Sequence, residues 1–209
     1  MATTRVSRHG AHVRALGTIA LGGIWIFIAA AVAVQCLRHD LHWQDAPLSF
    51  YLLDAWGHWL QAAYVALAIA LVAIAAGYYL ALPDGRRSAA PALLFVCAGI
   101  SLCVTALAHS NVPARAPTLE GFVHGVAAQT AFLCVTVAML LQSSWLRTAP
   151  YWRARFPAAF ALALACFAAI WVDALWHGMP RGLEQRLVIA LILAWLLLAS
   201  GWLRRHRAA

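Results

Sequence analysis

The segment WLQAAYVALAIALVAIAAGYYLAL, Trp59–Leu82, runs for 24 residues without a charged side chain. As a helix it would be about 36 Å long, enough to cross the roughly 30 Å hydrocarbon core of a bilayer. Outward from it, five more apolar stretches reach a comparable length: Leu16–Leu37, Ala89–Ala108, Phe122–Leu141, Phe156–Trp176 and Leu187–Leu203. The last is the shortest, and it lengthens if Arg186 snorkels to the interface. Pro91 and Pro157 fall in first turns, where a missing N–H costs little. The pattern predicts an all-α polytopic membrane protein, a bundle of six transmembrane helices. One domain spans 16–203, between an amino-terminal tail of 1–15 and a carboxyl-terminal tail of 204–209. The amino end begins basic and then apolar, as a signal peptide does. Its apolar run is too long, however, and no convincing small-x-small cleavage site precedes Gln35, so it reads as an uncleaved first span.

Composition agrees. Hydrophobic residues make up 64% of the chain and charged ones only 11%, whereas soluble domains are nearer half and a quarter. The net charge of +8 comes from arginine without lysine, collected in short loops instead of along one helix face. Membrane topology explains that distribution and excludes nucleic-acid binding. The amino end carries Arg5, Arg8 and Arg14, the second loop Arg86 and Arg87, the fourth loop Arg147, Arg153 and Arg155, and the tail Arg204, Arg205 and Arg207. With six spans these 11 of 15 arginines share one side, which faces Arg38, Arg115, Arg181, Arg186 and six of the seven acids across the membrane. The positive-inside rule then puts both termini in the cytoplasm, as expected for a bacterial inner-membrane protein. Tryptophans and tyrosines fall near both predicted boundaries. Cys36, Cys97, Cys103, Cys134 and Cys166 lie in or at the end of apolar segments, with no Cys-x-x-Cys, and read as small buried hydrophobes.

Three carboxylate–histidine pairs recur at a spacing of four: Asp54/His58, Glu120/His124 and Asp173/His177. One helical turn places both members on one face, where a carboxylate raises the imidazole's basicity and fixes its tautomer. All three pairs map to the outer side, near His109 and the segment Arg181, Glu184, Arg186. If His58, His109, His124 and His177 converge, they would hold a divalent metal, with Asp54, Glu120 and Asp173 as supporting groups, or two of them would ligate a haem b. A proton or cation path is a further option. No His-Glu-x-x-His or other tight ligand spacing backs any of these. The inner half of every span lacks histidine, which disfavours a two-haem cytochrome. The plainer reading makes Asp173, Glu184 and Arg186 a structural ion-pair group between the last two helices, and satisfies His124 with a backbone carbonyl or Gln129. His39 and His42, beside Asp40 and Asp45, read as solvated. Ser49 lies in PLSFYLLD, Pro47–Asp54; a Ser49/His58/Asp173 hydrolase lacks a nucleophile elbow. Ser49 instead fits the cap of a short amphipathic helix in the interface.

PLSFYLLDAWGHWLQAAYVALA, GFVHGVAAQ and RGLEQRLVIALILAWLLLASGWLRR together resemble the bacterial six-span "domain of unknown function 998" family, from about Arg14 to the end. Gly182–Arg186 with Trp195 is the most specific part. The resemblance implies a six-helix inner-membrane protein with polar residues on the outer face, and no established activity. It matches Ser49, His124, Glu184 and Arg186 to recurrent family positions. The chain departs from the pattern at His109-Ser110-Asn111, where the family tends to a Pro-Thr-Asp type, and around Asp54 and His58, where the family is richer in glycine.

A fold and a polar cluster license no reaction. The leading reading is therefore a non-enzymatic accessory or assembly subunit, or a small-ligand binder, in contact with membrane lipids and other membrane subunits. A metal- or haem-dependent membrane enzyme and a small transporter are the alternatives. A transporter would call for a continuous polar path from His124 through Gln129 toward Thr136.

Overall fold

The computed structural model describes residues 2–53, 56–82, 87–112, 116–176 and 178–206, with side chains from residue 9 onward. Six α-helices follow one another: α1 (Ala2–Leu37), α2 (Gly57–Ala81), α3 (Ala89–Leu107), α4 (Leu119–Leu146), α5 (Phe156–Leu175) and α6 (Arg181–Arg204). Among the described residues, two short 3-10 helices, Leu48–Leu52 and Arg153–Arg155, lie in the connections. Each α-helix contains a stretch long and apolar enough to cross a membrane. The chain is an all-α, multi-pass membrane protein, as its hydropathy predicts.

Three helices exceed their apolar runs, because hydrogen bonding and capping set helix ends while hydropathy sets only the part inside lipid. α1 extends back through the basic amino end. α4 gains a turn before Phe122 because Thr118 caps it, accepting a hydrogen bond from the Gly121 N–H at 3.0 Å. α6 starts at Arg181, directly after Pro180.

Consecutive helices pack side by side, and α1 against α6 closes the ring. From α2 onward the shorter connections favour this antiparallel order. α2 also touches α6. It is the innermost helix, with 61% of its most apolar window buried against 22% for α5. Mid-helix Trp25, Ile69, Leu93, Ile100, Leu164 and Leu198 are large, apolar and exposed. In water such a surface would aggregate, whereas lipid tails solvate it without penalty. The cysteines follow the same division. Only Cys166 is buried, and Cys36 and Cys97 are exposed, which corrects the expectation that all five are buried.

Between helices the attraction comes from close backbone approach and hydrogen bonding rather than hydrophobic exclusion. A Cβ on Gly17 of α1 would stand 2.5 Å from the Arg204 nitrogen of α6. The Tyr78 hydroxyl donates to the Ala199 carbonyl at 3.1 Å, and the Trp195 indole N–H donates to the Ala159 carbonyl at 2.9 Å. Both donors are fully buried, so each bond satisfies a group that hydrocarbon cannot. Buried Thr105, Thr136, Ser143 and Ser200 donate to carbonyls one turn back in their own helices.

Candidate functional site

The end of the bundle opposite the termini is covered by the long α1–α2 connection. Arg38 folds that connection on itself. Its guanidinium grips Asp40 through two 2.8 Å hydrogen bonds and donates a third, also 2.8 Å, to the Leu53 carbonyl. This contact holds the Asp40 carboxyl below the usual carboxylate range. The 3-10 helix then drops Leu48, Tyr51 and Leu52 into the bundle. It is therefore a buried plug, not the interfacial helix expected from its sequence. Its N-cap is Pro47, without a side-chain cap bond, so Ser49 does not cap it.

The first two turns of α6 clamp this plug. The Leu48 N–H donates to Gln185 Oε1 at 2.7 Å, and the Leu183 N–H to the Gln44 carbonyl at 2.9 Å. Arg186 donates to Gln35 Oε1 of α1 at 2.6 Å, to the Ala46 carbonyl at 2.9 Å and to the Gly182 carbonyl at 2.7 Å. Its guanidinium lies 5.7 Å from the Tyr51 ring centroid. Gly182 permits the close approach, since a Cβ there would meet the Ala46 carbonyl at 2.6 Å. Burial pushes the Tyr51 phenol up, with the Arg186 charge pulling the other way. Among the described residues, Arg186 Nη2 and the Tyr51 hydroxyl are buried without a hydrogen-bond partner.

Beneath the plug lies a cavity of about 80 Å³, walled by α1, α2, α3, α4 and α6. Ser49, Thr105, His124 and Gln185 line its covered end, and Leu71, Val135, Ile192 and Leu196 its deeper part. From Gln185 to Leu196 the helical rise gives about 16 Å, so the space is a long, narrow slot with a polar end and an apolar shaft. His124 is buried, at 6% exposure, and its Nδ1 lies 2.9 Å from the Ala108 carbonyl. Only a protonated Nδ1 makes that bond, which leaves Nε2 of the neutral ring as an acceptor. Beside the slot is a second, more polar cavity of about 370 Å³ between α4, α5 and α6, lined by Gln129, Asp173, Arg181 and Glu184 among others. Ala128, Phe132 and Gln185 border both.

The expected histidine convergence does not form among the described residues. Asp54 and His177 lie outside them. His58 is exposed beside Trp59. Glu120 turns away from His124 and accepts hydrogen bonds from the His109 N–H, at 2.8 Å, and from its Nδ1. Asn111 organises that corner by accepting from both the N–H and the hydroxyl of Thr118. His109 and Glu120 are both more than half exposed, so the pair contributes little. No group of three or more His, Cys, Asp or Glu suited to a metal occurs among the described residues. His42 and Asp45 make an exposed 3.1 Å pair.

Nor does Arg186 join Asp173 or Glu184 in the expected ion-pair group: its described hydrogen bonds all go to neutral acceptors. Buried Glu184 accepts from the Met179 N–H at 3.1 Å. Half-buried Asp173 faces the second cavity. Gln129 faces that cavity too while His124 faces the slot, so the polar path from His124 through Gln129 is interrupted. Sequence reasoning gave no role to Gln35 or Gln185. A lone glutamine inside an apolar span was the available signal for Gln35, because such a group needs a partner.

All four positions matched through the family resemblance gather at this end. Ser49 and His124 line the slot, Glu184 lines the neighbouring cavity, and Arg186 clamps the plug. No curated protein and no solved structure matches the chain. The model of the family described as "Protein of unknown function (DUF998)" matches residues 20–202, nearly the whole six-helix bundle, and the chain belongs to that family.

Proposed function

We propose that the protein is a non-enzymatic membrane subunit that binds a small amphiphile in the slot beneath its α1–α2 plug. The observation that carries this reading is the slot's polarity. Hydrogen-bonding groups from Ser49, Thr105, His124 and Gln185 cluster at the covered end, and a narrow apolar part runs toward the middle of the bundle. Ligand sites in membrane bundles combine an apolar body with a few convergent polar groups in this way. The adjoining polar cavity suits a headgroup, with Ala128, Phe132 and Gln185 as the threshold. The arginine distribution supports placement in a bacterial inner membrane with both termini cytoplasmic.

Butanoic acid, whose size matches a space of about 80 Å³, is a suitable probe, titrated against detergent-purified protein and followed by native mass spectrometry. Ala131 lines the slot and is buried, so Ala131→Phe fills it. Binding should weaken at least about tenfold, the equivalent of 1.4 kcal/mol. Val126→Phe, at a half-exposed lipid-facing position, should leave binding unchanged. Equal binding by the wild type and the folded Ala131→Phe protein would rule the slot out.

A further inference from the structure

At the opposite end of the bundle, where both termini lie, two arginines and a histidine from three elements meet around an aromatic wall. The Arg155 guanidinium sits 4.9 Å from the ring centroids of both Tyr151 and Trp152 and 5.9 Å from that of Trp202. The His206 ring stacks on Trp152, with centroids 5.5 Å apart and planes 8° from parallel. Arg14 reaches over from α1 and donates to the His206 carbonyl at 3.3 Å.

The hydrogen bonding here is incomplete. Arg155 Nη1 and His206 Nδ1 are both buried, and neither has a hydrogen-bond partner among the described residues. Buried polar groups are ordinarily satisfied, so two orphans in one cluster need an explanation. Five of the seven acids lie at the other end of the molecule, and the remaining two, Asp54 and Asp84, are outside the described residues. No described carboxylate therefore serves these arginines. The Trp152, Tyr151 and Trp202 rings hold the guanidinium in place, which lowers the entropy cost of binding a planar or tetrahedral oxyanion.

We propose that Arg155, His206 and Arg14 form a binding site for a phosphate group, carried either by an anionic phospholipid of the facing leaflet or by free phosphate. Arg155 Nη1 and His206 Nδ1–H supply the inward donors, and exposed Arg14 closes the site from α1. This site is separate from the slot and does not depend on it.

The test uses full-length protein in an uncharged detergent, titrated with inorganic phosphate, with dioctanoyl phosphatidylglycerol and with dioctanoylglycerol. Tryptophan fluorescence reports binding through Trp152 and Trp202. Saturable binding of the phospholipid or of phosphate is expected, with no saturable response to dioctanoylglycerol. Binding of phosphate alone, or competition of phosphate with the phospholipid, identifies the free ion as a sufficient ligand; phospholipid binding that phosphate leaves unchanged identifies the lipid. Arg155→Gln and His206→Phe should each weaken the wild-type affinity about tenfold, the scale of one charge-assisted hydrogen bond. Arg147→Gln removes the same charge beside Phe156 and should stay within about twofold. If Arg155→Gln does not fold, His206→Phe, which keeps a ring on Trp152, decides alone. The proposal fails if neither phosphate ligand binds saturably, or if Arg147→Gln weakens binding as much as the site variants.

Discussion

Arg186 holds α1, the α1–α2 connection and α6 together through neutral acceptors. A guanidinium suits this role because its fork reaches several carbonyls at fixed angles. Arg186→Leu would leave Gln35 Oε1 and the Ala46 carbonyl without donors in a dry region. A loss of about 3 kcal/mol follows, read as a lowered thermal midpoint in detergent; an unchanged midpoint would contradict the clamp. Arg186→Lys should recover only part, since an ammonium does not span three acceptors. The sequence identified Arg186 as a residue needing a partner but named the wrong kind of partner. Carboxylates are visible in a sequence, whereas the Ala46 carbonyl becomes available only when the loop folds. Glu120 illustrates the same limit. The i, i+4 rule offered it His124, yet at the second position of α4 it lies nearer to His109 at the end of α3. Spacing lists which neighbours a helix permits, and the neighbouring helix decides among them.

At the scale of elements, hydropathy located all six helices, because an apolar run of this length has few other stable arrangements. Their ends were less legible, since capping by Thr118 and the turn at Pro180 continue helices past the lipid-like residues. The plug at Leu48–Leu52 was misread for a related reason: the same five residues suit an interfacial helix or a buried one, and only the space beneath them decides. Helix contacts depend on residues with little sequence signal. Gly17 and Gly22 sit five apart in α1 and look interchangeable. A Cβ at Gly17 would strike α6 backbone, whereas at Gly22 it would meet nothing within 4 Å. Gly17→Val should therefore cost about 1–3 kcal/mol by forcing α1 from α6, and Gly22→Val should be neutral. Comparing the two thermal midpoints tests this, and equal midpoints would count against the close α1–α6 approach.

Across the whole molecule, polarity divides the two ends. All the described acids and the candidate slot occupy one, and most of the arginines with the aromatic wall the other. That division was readable from charge positions alone. The slot was not, because it depends on five elements leaving a space none of them encodes separately. The basic end also predicts a pH response. Burial, then the charges of His9, Arg14 and Arg155, hold His206 below its usual value of 6.5. Folding thus favours the neutral ring, so this contribution is complete above about pH 6.5 and is lost as pH falls through the lowered value. Without added anions, the thermal midpoint should hold at neutral pH and decline below about 6. His206→Phe, which keeps a ring on Trp152, should flatten the decline, and an equally steep profile in that variant would exclude His206 as its origin. The α6 clamp has a further consequence, for biogenesis. A membrane protein leaves the ribosome amino end first, so α1 and the plug are made long before Arg181–Arg204. Until that last helix is inserted, Gln35, Ala46 and Leu48 lack their partners and the slot has no closing wall. A nascent or truncated chain ending before residue 181 is thus an open five-helix intermediate with unsatisfied polar groups facing lipid. Membrane quality-control proteases have a direct chemical means of telling it from the finished protein.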